Sequence, residues 1–321
     1  MTPPPQPRWF RPLVITLISA GLLLPLLVYW LMLDHLPAMT TAELPFREAP
    51  RYEQWVAVIS GFVIKPTYML LSLVLVAVLW RSKSSDLAAL RWAMIFFFLG
   101  EAFCAANYFM NNDSLFADFL HSYGMVLSFA FTTFAAAQAM DHRFFKYTNP
   151  KDRCAAIELC RSCTKYTSVP CGLKRSFLLF LPMLIIVALM PFTAALNTIS
   201  YDTRILGTCY NYSHPIAHQL YEIRFAPAAA IVLLIIAIPF LAFAKNDSML
   251  KSKVLFAAAV GSLGFGFFRW ILLACYHDNL VWFECWEEIS ELLFIVGTLA
   301  ILWLFRHGLF PPRSSQSSRI T

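Results

Sequence analysis

The chain reads as an all-α, polytopic membrane bundle of about eight transmembrane helices with both termini cytosolic. Three observations predict this. Hydrophobic residues make up 59% of the 321 and the mean hydropathy is +0.62. Charged residues are only 14%, against roughly 25% in soluble domains. Several apolar runs reach about 20 residues, the length that carries a helix across a bilayer.

In chain order the predicted spans are 12–33, 54–80, 87–109, 116–140, 176–198, 224–244, 253–276 and 281–305. The first run, Leu13 to Leu33, is too long for a signal h-region, so it is expected to be a retained span. His277-Asp278-Asn279-Leu280 leaves room only for a tight hairpin between the last two. Lys65-Pro66 is expected to break the second span near mid-membrane, because proline has no N–H to donate. The Pro-rich start, 1–11, and the Ser-rich end, 308–321, read as disordered tails. No loop is long enough for a separate soluble domain, so residues 1–321 form one transmembrane domain.

Charge sets the orientation. With these spans, 19 of the 25 Lys and Arg residues fall on the side that holds both termini and the 141–175 loop. The positive-inside rule makes that side the cytosol. The formal charge of +6 is thus accounted for by topology, and no nucleic-acid partner is expected. Fourteen of the 19 acidic residues lie on or near the opposite side. Acids contribute little to orientation, so this skew needs a separate cause. A bacterial plasma (inner) membrane is the expected location.

Two constellations carry chemistry. The first is Cys154, Cys160, Cys163 and Cys171 in the basic cytosolic loop. Cytosolic thiols stay reduced, which disfavours disulfides there. The Cys160-Arg-Ser-Cys163 knuckle lets two thiolates reach one metal from a single turn, and Cys154 and Cys171 flank it closely. Four such thiolates suit zinc or an iron–sulfur cluster, and the spacing leaves the choice open. The alternative is inert or palmitoylated juxtamembrane cysteines.

The second constellation faces the other side. Lys65, Glu101, His121, Arg269, Glu288 and Glu291 stand in or beside apolar spans, and Glu284, Glu287, Glu288 and Glu291 form one helical stripe. Helix rise places Lys65 and Glu291 on the order of 15 Å deep. Charges at such depth are costly unless paired or wet, and they commonly face a cavity or partner. Carboxylates with His can bind a divalent metal, relay protons or hold a cationic substrate. The structural alternative is a set of ion pairs that lock the bundle, with Glu284 and Glu287 solvated near the surface. On this side Cys209 with Cys275 or Cys285 is a candidate disulfide.

Three functions fit. One is a membrane metalloprotein of redox or enzymatic type, with a metal centre in the cysteine loop and a quinone or ion at the outer pocket. Another is an ion-coupled transporter with a zinc-stabilised loop. The third is an assembly or receptor-like protein whose 141–175 loop docks a cytosolic protein. If the loop holds metal, Cys160→Ser with Cys163→Ser removes it from the purified protein by elemental analysis; unchanged zinc or iron content would refute the site.

Overall fold

The computed structural model describes residues 45–109, 114–146, 172–193, 201–243 and 248–310. The predicted 12–33 span, all four loop cysteines and nearly all of both tails lie outside these residues. What is described is mostly helix. A short strand β1 (Phe46–Arg47) leads into α1 (Arg51–Ile59), a π-helical turn (Ser60–Ile64) and α2 (Lys65–Leu79). Then come α3 (Ser85–Phe109), α4 (Leu115–Met140), α5 (Gly172–Ala188), α6 (Met190–Thr193), strands β2 (Asp202–Ile205) and β3 (Thr208–Asn211), α7 (Ser213–Phe243), α8 (Ser248–Tyr276), α9 (Leu280–Leu304) and α10 (Arg306–Leu309).

Six segments are long and apolar enough to cross a bilayer: Arg51–Leu79, Ser85–Asn107, Phe116–Phe145, Arg175–Thr193, Glu222–Ala242 and Lys251–Tyr276. Each overlaps a predicted span. The last predicted span is also a helix, α9, but every 18-residue stretch of it holds at least three glutamates. Three of those glutamates, Glu287, Glu288 and Glu291, are buried.

Lys65-Pro66 does not break its helix. The Lys65 N–H donates to the Ser60 carbonyl five residues back, which widens the turn. Pro66 has no N–H for the carbonyl four residues before it, and the π turn absorbs that mismatch. Helical direction therefore continues through Lys65, and its side chain is carried into the bundle rather than out at a kink.

The expectation of an all-helical chain also needs a correction. Two predicted outer loops meet in a three-stranded sheet, with β1 parallel to β2 and β2 antiparallel to β3. Phe46 pairs with Asp202, and Asp202 with Asn211. Leu206 and Gly207 take positive φ, 49° and 88°, as a two-residue hairpin of matching twist requires. The strands are too short to show a period in the sequence. The sheet is fastened to the α8–α9 hairpin: the Leu280 N–H donates to the Tyr201 hydroxyl at 2.9 Å. Burial pushes the Tyr201 phenol above its ordinary pKa. Glu53 takes Arg47 at 3.2 Å and the Asn279 amide at 2.9 Å.

In the core, α4 packs against α3 and α8, and α7 against α8 and α5, while α9 lies on α1 and α2. Tyr68, Phe97, Met125, Phe225, Phe265 and Phe283 are among the buried side chains of the main cluster. At the end of the bundle away from the sheet, two acids each have a basic partner. Lys253 Nζ sits 2.7 Å from Asp141 Oδ2, and Arg143 2.8 Å from Asp86 Oδ2.

The α3–α4 contact relies on glycine. A Cβ built on Gly124 would stand 2.5 Å from Gly100 Cα and 2.8 Å from its nitrogen. Backbone cannot yield as a side-chain tip does, so the two helices would have to part. This contact sits beside Glu101 on α3 and His121 on α4. Gly264 has nothing within 4 Å of its Cβ position. Gly124→Ala should lower stability by about 1–3 kcal/mol through overpacking. Gly264→Ala should be neutral, or stabilise by up to about 1 kcal/mol through helix propensity. Thermal unfolding in detergent checks both, and equal effects would contradict the packing.

Candidate functional site: a buried carboxylate centre

Six helices send ionisable side chains to one place near the sheet end of the bundle. Helix α2 supplies Lys65 and Tyr68, three residues apart and therefore on one face. Helix α3 supplies Glu101, α4 His121 and Ser122, α7 Glu222, α8 Arg269, and α9 Glu287, Glu288 and Glu291. Glu101 and Glu222 are fully buried, and Arg269 is 1% exposed. The six residues expected from sequence at this site are thus brought together.

Lys65 Nζ lies 2.5 Å from Glu101 Oε2, 3.0 Å from Glu288 Oε1 and 3.2 Å from the Tyr68 hydroxyl. That hydroxyl is also 2.7 Å from Glu101 Oε2 and 2.5 Å from Glu288 Oε2. A phenol has one proton to donate. It satisfies one carboxylate, and the second contact is a hydrogen bond only when the other carboxyl group carries a proton and donates to the phenol oxygen.

Arg269 joins the other half. Its guanidinium pairs with Glu287, lies 3.1 Å from Glu291 Oε1, and approaches Glu222 Oε2 at 3.5 Å. Its carbon also sits 5.1 Å from the centre of the Phe265 ring. Glu287, part of the predicted stripe, is turned inward by this cation rather than solvated as in the structural alternative.

His121 links the halves. Its Nδ1 is 2.9 Å from the Gly100 carbonyl and 3.7 Å from Glu101 Oε1, and its Nε2 is 3.3 Å from Glu222 Oε1. A carbonyl only accepts, so Nδ1 carries a hydrogen. One further proton lies between Nε2 and Glu222, on the ring or on the carboxyl group. Either way the His121–Glu222 pair has no net charge. The Ser122 hydroxyl also donates to Glu222 Oε1, at 3.2 Å.

What remains is four carboxylates, Glu101, Glu287, Glu288 and Glu291, against the two cations Lys65 and Arg269. Among the described residues, these acids outnumber the bases by two if every one of them is ionised. One oxygen each from Glu101, Glu288 and Glu291 lies within 4.8 Å of the others. Glu101 Oε1 and Glu291 Oε2 are buried and have no hydrogen-bond partner among the described residues. Along α9 the stripe grades from half-buried Glu284, a turn nearer the hairpin, through Glu287 and Glu288 at 9% exposure to Glu291 at 4%.

Tyr68 and Glu222 were not singled out from sequence as site residues. Tyr68 looks like one more aromatic in an apolar run; its signal is the three-residue offset from Lys65. Glu222 falls in a predicted loop, because α7 begins at Ser213 rather than near 224. Cys104, Cys209, Cys275 and Cys285 are free thiols, so the expected disulfide is not formed. Cys285 is buried, whereas Cys209 and Cys275 are exposed. Cys154, Cys160, Cys163 and Cys171 lie outside the described residues, and nothing structural bears on iron–sulfur or zinc binding there.

Comparison of the chain with protein-family models, curated proteins and solved structures finds no match.

Proposed function

We propose that this is an integral membrane protein of the ion-coupled carrier class, whose working centre binds and releases cations, protons first among them, from the outer side. The observation that carries this reading is the crowding of Glu101, Glu287, Glu288 and Glu291 around Lys65 and Arg269, with more acids than bases among the described residues. Ionised carboxylates in that excess would be strongly destabilising without a neutralising cation. The two carboxylate contacts of the single Tyr68 hydroxyl support the same reading, because one of them calls for a protonated carboxyl group.

The glutamate stripe on α9 supplies a route. It descends from the hairpin end, which charge distribution assigns to the outside. The π turn ahead of Lys65 supports movement, since such turns recur where helices do work. Excess negative charge favours a cation over a neutral quinone as the outer ligand. The metal centre of the redox reading rests on the cysteine loop, and so does the docking of a cytosolic protein at 141–175. The carrier reading needs neither.

Infrared difference spectroscopy on the protein in lipid tests this. A carboxyl C=O band should be present at acid pH and disappear as pH rises, because deprotonation removes it. The band should shrink in Glu288→Gln or Glu291→Gln. A spectrum with no pH-dependent carboxyl band, alike in wild type and variants, would refute proton exchange at this centre.

A further inference from the structure

A proton that enters this centre has to cross from one helix to another, and a side chain hands a proton on when it can both accept and donate. We propose that Tyr68 is that side chain: its hydroxyl passes a proton from Glu288 on α9 to Glu101 on α3, where the proton stops. This rests on the proton-exchange reading above and adds to it a residue, a direction and an end point.

The geometry of the hydroxyl carries the proposal. It lies 2.5 Å from Glu288 Oε2 and 2.7 Å from Glu101 Oε2, within hydrogen-bond reach of an acid on each helix. A phenol oxygen donates one hydrogen and can accept others, so it can take a proton from one acid while giving its own to the other. The ring does not need to move. Tyr68 is fully buried, and its ring stands edge-on to Phe97 with centroids 5.5 Å apart. Exposure sets the direction. Glu284 is half-buried and Glu288 is 9% exposed, whereas Tyr68 and Glu101 are fully buried.

The neighbours hold the path without joining it. Lys65 Nζ touches the same three groups, at 2.5 Å from Glu101 Oε2, 3.0 Å from Glu288 Oε1 and 3.2 Å from the Tyr68 hydroxyl. An ammonium group has three donors and no acceptor, so it orients the carboxylates but takes up no proton. Glu291, with an oxygen within 4.8 Å of theirs, is held by Arg269 at 3.1 Å. Beyond Glu101 the path closes. Its Oε1 faces His121 Nδ1 at 3.7 Å, too far for a hydrogen bond. That nitrogen already donates its hydrogen to the Gly100 carbonyl at 2.9 Å, which leaves it no lone pair for a proton from Glu101.

The step balances. The carboxyl O–H bond of Glu288 breaks and its proton bonds to the phenol oxygen. The phenol O–H bond breaks and its proton bonds to Glu101 Oε2. Tyr68 ends neutral, Glu101 ends as the acid, and Glu288 ends as a carboxylate that takes its next proton from water on the outer side. Both contacts survive with their roles reversed, since the hydroxyl then donates to Glu288 and accepts from Glu101. No electron changes hands.

The test is time-resolved infrared spectroscopy on full-length protein in lipid, with protons released from a caged acid by a light flash. In wild type, one carboxyl band assigned by its loss in Glu288→Gln and one assigned by its loss in Glu101→Gln should both rise. Tyr68→Phe keeps the ring against Phe97 and removes the hydroxyl. Its Glu288 band should rise at the wild-type rate, and its Glu101 band about a hundredfold more slowly, the lower end of what a positioned proton-transfer group contributes. Glu288→Gln interrupts the path one step earlier with Tyr68 intact and should slow the Glu101 band as well, so the relay is decided even if Tyr68→Phe fails to fold. A Glu101 band that rises at the wild-type rate in either variant overturns the relay. A wild-type Glu288 band without a Glu101 band overturns it too, while proton exchange stands. If no carboxyl band responds in wild type, proton exchange itself falls and the relay with it.

Discussion

Among the described residues, five glutamates, Glu101, Glu222, Glu287, Glu288 and Glu291, share one buried centre with Lys65, Arg269 and His121, and much of this bundle is arranged around that crowding of acids. Lys65 and Arg269 each hold more than one acid: Lys65 takes Glu101 and Glu288, while Arg269 takes Glu287 and Glu291 and approaches Glu222. A buried ion pair contributes little net stability, because desolvation offsets most of the attraction. Surplus charge is worse still. Its persistence at the meeting point of six helices is therefore an argument for ligand binding rather than for stapling. Away from the sheet, Asp141 and Asp86 each meet a base instead, Lys253 and Arg143.

The fold brings these groups together by close approach. Gly124 against Gly100 lets α3 and α4 touch at the backbone, which sets Glu101 beside His121. The Gly100 carbonyl in that same contact fixes the tautomer of His121. The π turn keeps α1 and α2 in one line and delivers Lys65 and Tyr68 on one face. The small sheet ties the two loops that form it to the hairpin that starts α9, so the helix bearing three of the acids is anchored at its first residue. Sequence, local geometry and site thus form one chain of cause: a proline that cannot donate, a turn that widens, and a lysine carried inward.

Much of this was legible in the sequence. Long apolar runs announce helices directly, and all six bilayer-length segments overlap predicted spans. Charges inside such runs are conspicuous, which is why Lys65, Glu101, His121, Arg269, Glu288 and Glu291 stood out. Groups that hide in ordinary contexts did not. Tyr68 is unremarkable until Glu101 and Glu288 arrive from other helices. Glu222 was lost to a boundary, since polar residues at the start of α7 mask its helical period. The two-to-four-residue strands carry no period at all and depend on pairing between loops some 150 residues apart, as Phe46 with Asp202. A count of charges could not reveal the imbalance either. It required knowing that Glu287 turns in to Arg269 and that Glu222 pairs with His121.

The central claim is that the centre is overloaded with negative charge, and stability in the absence of ligand tests it most directly. Glu288→Gln and Glu291→Gln each remove one charge while keeping shape and an acceptor oxygen. Their thermal unfolding is compared with wild type in metal-free alkaline buffer, where the carboxylates are most ionised. An overloaded centre is relieved by either change, so both variants should unfold at or above the wild-type temperature. If the glutamates are instead balanced structural partners, each substitution breaks a buried pair and should cost about 3–5 kcal/mol. A loss of that size would contradict the account.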